Sequence, residues 1–393
     1  MQKATRQQTK EHNTTLVLKT IYHSDSISRA EIARVTGLTR TTVSDIVSNL
    51  VADDLVVEAG VGASLGGKPP IQVQLNENSR NLICVDLSNE VFRGAVINLR
   101  GQVLQLETLA LQHRRGELAL QAVYDLIDKL MLRIEASVLG IGIGTPGLVD
   151  IHQGVIIQAV NRGWANLPMK QLLEQRYQLP VHVANDSQVA ALAEFSFGVK
   201  YDQPNLVLIK IGEGIGSGIV LDGKIFHGDG FSAGEIGHLA VREDGELCTC
   251  GNHGCLETIA SSRALTEKSL ELGLVTADDQ STASGANSDV LDKLAVSFQG
   301  KDPAAIKLVQ GAGHSLGVAI ANLIGILNIQ QIVIAGDLVR FGEPLLTAAQ
   351  AEMHVNVLPA LAEKTHLSYS CLGEDIVVRG ASALILLEEL GLP

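Results

Sequence analysis

Four side chains within eighteen residues of this 393-residue chain, His238, Cys248, Cys250 and Cys255, have the chemistry and spacing of a metal shell. Three of the chain's five cysteines fall within eight residues there, around Gly251 and Gly254, which let the backbone turn so that the thiolates converge. Zinc favours a tetrahedral shell of cysteine sulfur and histidine nitrogen. This set completes one with no position left for a substrate, so the expected ion is structural. Clustered cysteines in an otherwise cysteine-poor chain point to metal rather than disulfides. Two carboxylates, Glu235 and Glu257, flank the cluster. Zinc accounts for a loop; an activity has to come from the rest of the chain.

The elements that position this loop read as α/β. With 46% hydrophobic residues, 19% charged and 39 glycines, the composition excludes fibrous and disordered classes, and 393 residues imply two or three domains. The start, Met1-Gln-Lys-Ala-Thr-Arg, lacks the apolar core of a signal peptide, and no run of about 18 apolar residues stands out as a membrane span, so the expected location is cytoplasmic. Leu82–Asp86 reads as a strand, Gly94–Leu99 as its antiparallel partner and 117–135 as an amphipathic helix. Leu139–Gly147 is a buried strand opening into a Gly-Pro turn. A comparable arrangement recurs at Leu206–Gly212 and Gly214–Leu221, which predicts a pseudo-duplicated, two-lobed protein with a ligand cleft between the lobes. Ala304–Leu327 is a helix that packs within a lobe or between subunits. Thr276–Asp289 reads as an inserted polar loop, and Cys84 and Cys371 as small buried thiols.

Charge is uneven along the chain. Residues 1–70 carry 8 Lys/Arg against 7 Asp/Glu, whereas 71–393 carry 22 against 36, so only the first segment is suited to approach a polyanion. Leu16, Val17 and Ile21 follow helical spacing from Thr14 to Tyr22. Ser28 caps a short helix that Gly37 ends, and Thr39 caps a second one whose stripe is Val43, Ile46, Val47 and Leu50. That spacing is a helix-turn-helix, whose second helix enters the major groove by its N-terminal residues. Arg29, Thr39, Arg40, Thr41, Thr42 and Ser44 are the candidate phosphate and base contacts. Strand-like runs at Leu55–Glu58 and Gln72–Leu75 flank a Gly-rich loop that carries Lys68, a wing.

The set Gly144-Thr-Pro-Gly147, Ala184-Asn185-Asp186, Gly234-Glu-Ile-Gly-His238 and Cys248-x-Cys-Gly-x-x-Gly-Cys-x-Glu257 resembles the ROK family (repressors, open reading frames and kinases) over essentially the whole chain. It is most similar to that family's transcriptional regulators, among them the xylose-, glucose- and N-acetylglucosamine-responsive repressors. The resemblance implies an actin-like, ribonuclease-H-like duplicated α/β domain behind the winged helix-turn-helix. The expected boundaries are 1–75 for the winged helix, 76–185 plus 376–393 for the first lobe, and 186–375 for the second lobe with its zinc loop. It also implies a sugar held by the residues matching Asn185, Asp186, Glu235, His238 and Glu257, with Asn161 close by. Sugar hydroxyls both donate and accept, so carboxylates and an amide in fixed directions can read their stereochemistry. His238 could ligate zinc with one ring nitrogen and donate to a hydroxyl from the other.

In the family's kinases the Asp matching Asp186 takes the proton from the attacking hydroxyl, and this chain keeps it. Phosphoryl transfer is mostly positioning and stabilisation of phosphate charge, and the loops for that have changed. Asp-x-Gly-x-Thr of the kinases reads Asp86-Leu-Ser88-Asn-Glu90 here, Gly-Thr-Gly reads Gly212-Glu213-Gly214, and Asp337 stands where a second glycine is usual. At an effective dielectric of ~20, like charges about 4 Å apart cost ~4 kcal/mol, and ~1.4 kcal/mol already lowers affinity tenfold. The expectation is therefore a sugar-responsive repressor of carbohydrate-utilisation genes with no catalytic residues. It would bind double-stranded operator DNA as a homodimer or higher homo-oligomer and respond to an aldose or derivative, with lobe closure changing the distance between recognition helices. The alternatives are an active ATP-dependent sugar kinase carrying a DNA-binding arm, and a repressor controlled by a protein partner.

Overall fold

Helix α1 (Arg6–Tyr22) begins well before Thr14, because Thr5 and Gln8 form a reciprocal capping box ahead of turns whose polar, exposed residues carry no apolar period. Strand β1 (Ile27–Ser28) leads into α2 (Arg29–Thr36), where Ser28 and Glu31 make a second capping box; Gly37, at φ 71°, ends the helix in the left-handed region. Helix α3 (Arg40–Ala52), capped by Thr39, buries Val43, Ile46, Val47 and Leu50, the stripe that the spacing predicts. Strands β2 (Val56–Val61) and β3 (Ile71–Leu75) form an antiparallel sheet of order β1-β3-β2, the wing. The computed structural model describes residues 5–61, 69–134, 136–199, 204–275 and 286–392, so Lys68 and the rest of the wing tip lie outside the described residues.

Two five-stranded sheets follow. The first comprises β4 (Arg80–Asp86), β5 (Val91–Asn98), β6 (Val103–Ala110) and, beyond α4 (Glu117–Met131), β7 (Ser137–Thr145). A small sheet of β8 (Leu148–Asp150), β9 (Val155–Ala159) and β10 (Trp164–Leu167), then α5 (Met169–Tyr177), leads to β11 (Val181–Asn185). The order is β11-β7-β4-β5-β6, with β4, β5 and β6 an antiparallel meander and β7 and β11 parallel to β4. Helix α6 (Asp186–Phe197) crosses to β12 (Leu206–Ile211), β13 (Ile215–Leu221) and β14 (Lys224–Ile225). Helices α7 (Glu257–Ala260), α8 (Ser262–Glu271), α9 (Ala286–Gln299) and α10 (Pro303–Leu327) precede β15 (Gln331–Gly336), α11 (Glu343–Asn356), α12 (Pro359–Ala362), β16 (His366–Tyr369) and α13 (Ile376–Leu390). The second order, β14-β13-β12-β15-β16, repeats the first: a meander with two parallel strands added at β12. This is the expected actin-like duplication.

The repeat is offset from the sequence reading. The counterpart of the β12–β13 hairpin is β4–β5, and that of β7 is β15. Glycine richness misaligned the halves because in β7 and β13 it serves packing rather than position. A β-carbon on Gly142 would lie 2.5 Å from Ala381 O, and one on Gly218 2.5 Å from Ser187 O. Other details differ too. Helix α4 stops at Met131, residues 286–289 already belong to α9 while 276–285 lie outside the described residues, and Cys371 is exposed whereas Cys84 is buried. Helix α10 is long and apolar enough to cross a membrane by length and composition. It packs instead as the core helix of the second lobe, with Gly313 and Gly317 set against α11.

The winged helix is fused to the first lobe by a shared core. Val17, Ile21, Val43 and Val47 belong to one buried cluster with Leu82 and Ile97 of the first sheet and Ile385, Leu386 and Leu392 at the chain end. Arg100, on the β5–β6 turn, donates to Tyr22 O and to Ser24 O (3.3 Å) and stacks 5.0 Å from the Tyr22 ring centroid. Helix α13 lies on β4 and β7, α6 lies on β12 and β13, and the two helices pack on each other between the sheets. A β-carbon on Gly380 would stand 1.8 Å from Val189 O. Overpacking of this kind costs about 1–3 kcal/mol, occasionally more. Gly380→Ala is expected to fall at the upper end, lowering the urea midpoint of the full chain; an unchanged midpoint would remove this contact from the account.

Candidate functional site

The Cys/His loop is closed by backbone. The bridges Ala240–Cys255 and Leu247–His253 fold it on itself, and Gly254, at φ 71°, passes so near Arg242 O that a β-carbon would sit 1.8 Å away. The donor atoms of His238, Cys248, Cys250 and Cys255 all lie within 4.8 Å of one another. Cys248 Sγ is 3.6 Å from His238 Nδ1, and Cys250 Sγ is 3.6 Å from Cys255 Sγ. Tetrahedral bonds of roughly 2.3 Å to sulfur and 2.0–2.1 Å to nitrogen separate donors by about 3.5–3.8 Å, so the set can hold a metal, with Nδ1 as the histidine donor. A backbone hydrogen bond with Asn252 holds the Cys250 thiol down at about 7, towards the thiolate a metal needs. Burial, then sharing with Cys250, pushes Cys255 up to about 12.

Helix α6 carries the next pair. Asn185 is its N-cap: Oδ1 accepts from Ser187 N (2.9 Å) and Gln188 N (3.3 Å), while Nδ2 donates to Gly147 O (3.0 Å). Asn185 therefore fixes the Gly144–Gly147 turn against the start of α6. Asp186 is buried, and both its oxygens are engaged: Oδ1 by Ser187 N (2.9 Å), Oδ2 by Lys210 Nζ (2.9 Å). Glu257, buried at the start of α7, accepts from Cys248 Sγ (3.7 Å) and Arg263 Nη2 (3.3 Å), which ties it to the metal loop. Glu235 is exposed just before the 3-10 turn Ile236–His238, and desolvation raises its pKa; Asp186 and Glu257 add to the rise and His238 opposes it. Asp186, Glu235, His238 and Glu257 thus share one electrostatic neighbourhood. Asn161 stands apart, exposed on a 3-10 turn (Val160–Arg162) and, among the described residues, not hydrogen-bonded to the other five.

Its neighbour turns inward. Arg162, 1% exposed, donates from Nε to Leu87 O (3.1 Å) and from Nη1 to Glu90 Oε1 (3.1 Å), 5.6 Å from the Phe92 ring centroid. Glu90 therefore lines the cleft already paired with a buried guanidinium. Glu213 is half-buried; burial raises its pKa, Arg162 opposes that and Glu90 reinforces it. A cleft of about 550 Å³ is lined by Ser88, Asn89, Glu90, Glu213, Asp337 and Lys210, among others. The altered loops thus meet around one space. Lys210 was missed, although its signal was available as a lone charge in the apolar run Leu206–Ile211, all of it buried.

On the winged helix, Arg40 and Thr41 are exposed at the N-terminus of α3. The Thr39 and Thr42 hydroxyls are 2.9 Å apart within the cap, Ser44 is half-buried, and Arg29 reaches Glu58 of the wing at 3.4 Å.

Removing one partner of a buried ion pair usually costs about 3–5 kcal/mol. Because Glu90 keeps some solvent, Arg162→Met is expected to destabilise the chain by about 3 kcal/mol in urea unfolding, with Arg162→Met/Glu90→Gln regaining a large part. Equal losses in both variants would refute the pairing.

Comparison with known proteins places this geometry. The ROK family matches residues 82–388, and a winged helix-turn-helix DNA-binding family matches residues 11–57. The xylose repressor of Caldicellulosiruptor bescii is 30% identical over 390 residues, 98% of each chain. The glucokinase of Halalkalibacterium halodurans is 33% identical over 333 residues, 79% of this chain and 97% of the enzyme. The crystal structure of a ROK family transcriptional regulator, a homolog of the Escherichia coli MLC protein, superposes with a TM-score of 0.84 at 28% identity, covering 98% of both chains. With the family spanning both sheets and a full-length relative at 30% identity, the chain belongs to the ROK family.

Proposed function

We propose that this chain is a sugar-responsive transcriptional repressor whose kinase-like cleft senses a sugar without phosphorylating it. The observation that carries this reading is the single core joining the winged helix to the first lobe, which makes the DNA-reading helix and one wall of the cleft parts of one body. A kinase needs no such attachment. The reading draws support from the match to a xylose repressor over 98% of the chain, whereas the glucokinase match covers 79% of it. The acidic Glu213 and Asp337 at the cleft wall disfavour ATP as a ligand.

In this reading Asn185, Asp186, Glu235, His238 and Glu257 hold the sugar, with Asn161 close to it, and zinc fills the His238, Cys248, Cys250 and Cys255 shell as a structural ion. Arg40 and Thr41 reach base edges, and Arg29, Thr39, Thr42, Ser44 and the wing residue Lys68 contact backbone. The units are 1–75, 76–185 with 376–393, and 186–375. The repressor works in the cytoplasm as a homodimer on two-fold operator DNA. Exposed Ile326, Val355 and Leu358, which line an apolar groove on the second lobe, favour pairing of subunits there.

The test is fluorescence anisotropy of the zinc-replete protein on labelled DNA from upstream of its own gene, titrated with free and phosphorylated sugars, xylose first. Tight, salt-sensitive binding released by one sugar is expected, with no sugar-dependent ATP turnover. A specific base contact is worth about 1–3 kcal/mol, so Arg40→Ala should weaken operator binding by about tenfold or more with release intact. Glu257→Ala should keep operator binding and lose release. Unchanged DNA affinity in Arg40→Ala would refute the helix assignment, and turnover at ordinary kinase rates the sensor reading.

Removing one thiolate tests the metal separately. Wild-type protein should carry one zinc per chain by elemental analysis, and Cys250→Ser much less. Because Glu257 lies 3.7 Å from Cys248, the variant should lose sugar release before operator binding. Metal content equal to wild type would exclude Cys250 from the shell.

A further inference from the structure

Three carboxylates from three separate elements meet one buried ammonium. Asp86 ends β4 of the first lobe, Asp186 begins α6, and Asp337 follows β15 of the second lobe. Lys210, 9% exposed on β12, donates to Asp186 Oδ2 at 2.9 Å. A β-carbon added to Gly212 would lie 3.9 Å from Lys210 Nζ, 4.0 Å from Asp337 Oδ2 and 3.7 Å from Asn89 Oδ1, which places these atoms around the same turn. Asp86 is itself buried, and its Oδ1 accepts from Ser88 N (2.8 Å) and the Ser88 hydroxyl.

We propose that Lys210 is the resident cation of this cleft, occupying with its ammonium the place among Asp86, Asp186 and Asp337 where a divalent metal would otherwise be held. Phosphoryl transfer relies on metal ions bridging protein carboxylates and phosphate oxygens. Magnesium is typically bound by one or two carboxylates together with substrate phosphates. A buried ammonium hydrogen-bonded to Asp186 repels such an ion and takes up its ligand oxygen. Burial alone would depress the Lys210 pKa, but Asp186, Asp86 and Asp337 outweigh it and hold the pKa above its ordinary value, which favours the ammonium form. Ligand recognition here is therefore independent of divalent cations. The ammonium, bonded to Asp186, also feels the charges of Asp86 on one lobe and Asp337 on the other. The assignment concerns the charge of the cleft and stands apart from the identity of its ligand.

The probe is Mn²⁺, followed by the loss of its free-ion electron paramagnetic resonance signal on adding zinc-replete full-length protein. Manganese(II) binds nitrogen and sulfur sites weakly and leaves the thiolate shell alone. Wild type should leave the signal unchanged. Lys210→Met should take up one Mn²⁺ per chain, about tenfold or more tighter than wild type, and Lys210→Met/Asp337→Asn should lose that site again. Should Lys210→Met fail to fold, Lys210→Gln removes the charge while keeping a hydrogen-bond donor for Asp186. Wild type binding Mn²⁺ as tightly as the charge-removed variant overturns the proposal, as does a folded, zinc-loaded variant without the ammonium that binds none. None of these outcomes depends on sugar or DNA, so failure here leaves the repressor reading standing, and the reverse also holds.

Discussion

The contact between α6 and α13 is the constraint on which the rest of the molecule depends. Gly380 lets the two backbones approach until a single methyl would collide with Val189 O, and Gly142 lets α13 sit against β7 where a β-carbon would lie 2.5 Å from Ala381 O. These approaches pin the first sheet to α13, α13 to α6, and α6 to the second sheet through Gly216 and Gly218. Because close-packed elements deform as units rather than continuously, each helix carries its functional end with it. The N-terminus of α6 carries Asn185 and Asp186, the latter bonded to Lys210 of the cleft wall. The far end of α13 contributes Ile385, Leu386 and the following Leu392 to the core of the winged helix.

Charge sets the character of the cleft as firmly as packing sets its shape. Arg162 and Lys210 are both buried, each is paired with a carboxylate, and each links pieces that sequence separates widely: Arg162 joins the 3-10 turn before β10 to the Asp86–Glu90 loop, and Lys210 joins β12 to α6. Buried ion pairs contribute little net stability, since desolvation offsets most of the attraction. Their value here is geometric, because each fixes which loops lie side by side. Two intrinsic cations among the carboxylates also lower the cleft's need for an external one.

Local chemistry was legible in the sequence and long-range pairing was not. Ser28 and Thr39 as caps, Gly37 as a terminator and the Val43–Leu50 stripe are all decided within a few residues, so spacing alone reveals the winged helix. The Cys/His cluster was readable for the same reason, since its ligands lie close together in the chain. The early start of α1 was hidden because exposed polar turns have no period. Matching the halves went astray because glycine richness reports where a helix packs closely, which occurs at β7 in one lobe and β13 in the other. At 161–162 the resemblance implied only that Asn161 lies near the sugar, whereas the turn also sends Arg162 inward to a glutamate 72 residues away, a partner that spacing cannot indicate. Lys210 was overlooked because an apolar strand was read for its fold rather than for its exception.

The fused core constrains how a ligand can act on DNA. The sequence leads to the expectation that lobe closure changes the distance between recognition helices, and the fused core says which parts must move together. Since the winged helix shares buried residues with β4, β5 and α13, and Arg100 clamps Tyr22, the recognition helix cannot swing freely on the first lobe. Any displacement of α3 relative to DNA must be a displacement of the whole first lobe relative to something else. Within one chain, that reference is the second lobe, reached through α6. In a two-fold assembly joined through second lobes, closing the cleft would carry each first lobe and its winged helix together, and lever length would turn a small rotation at α6 into a larger change between recognition helices. Half-sites lie about 34 Å apart or a multiple of it, a spacing that a rigid head cannot absorb by flexing. In the proposed repressor, rigidity at the junction would let a cleft remote from DNA control binding, and a flexible linker in its place would uncouple the two.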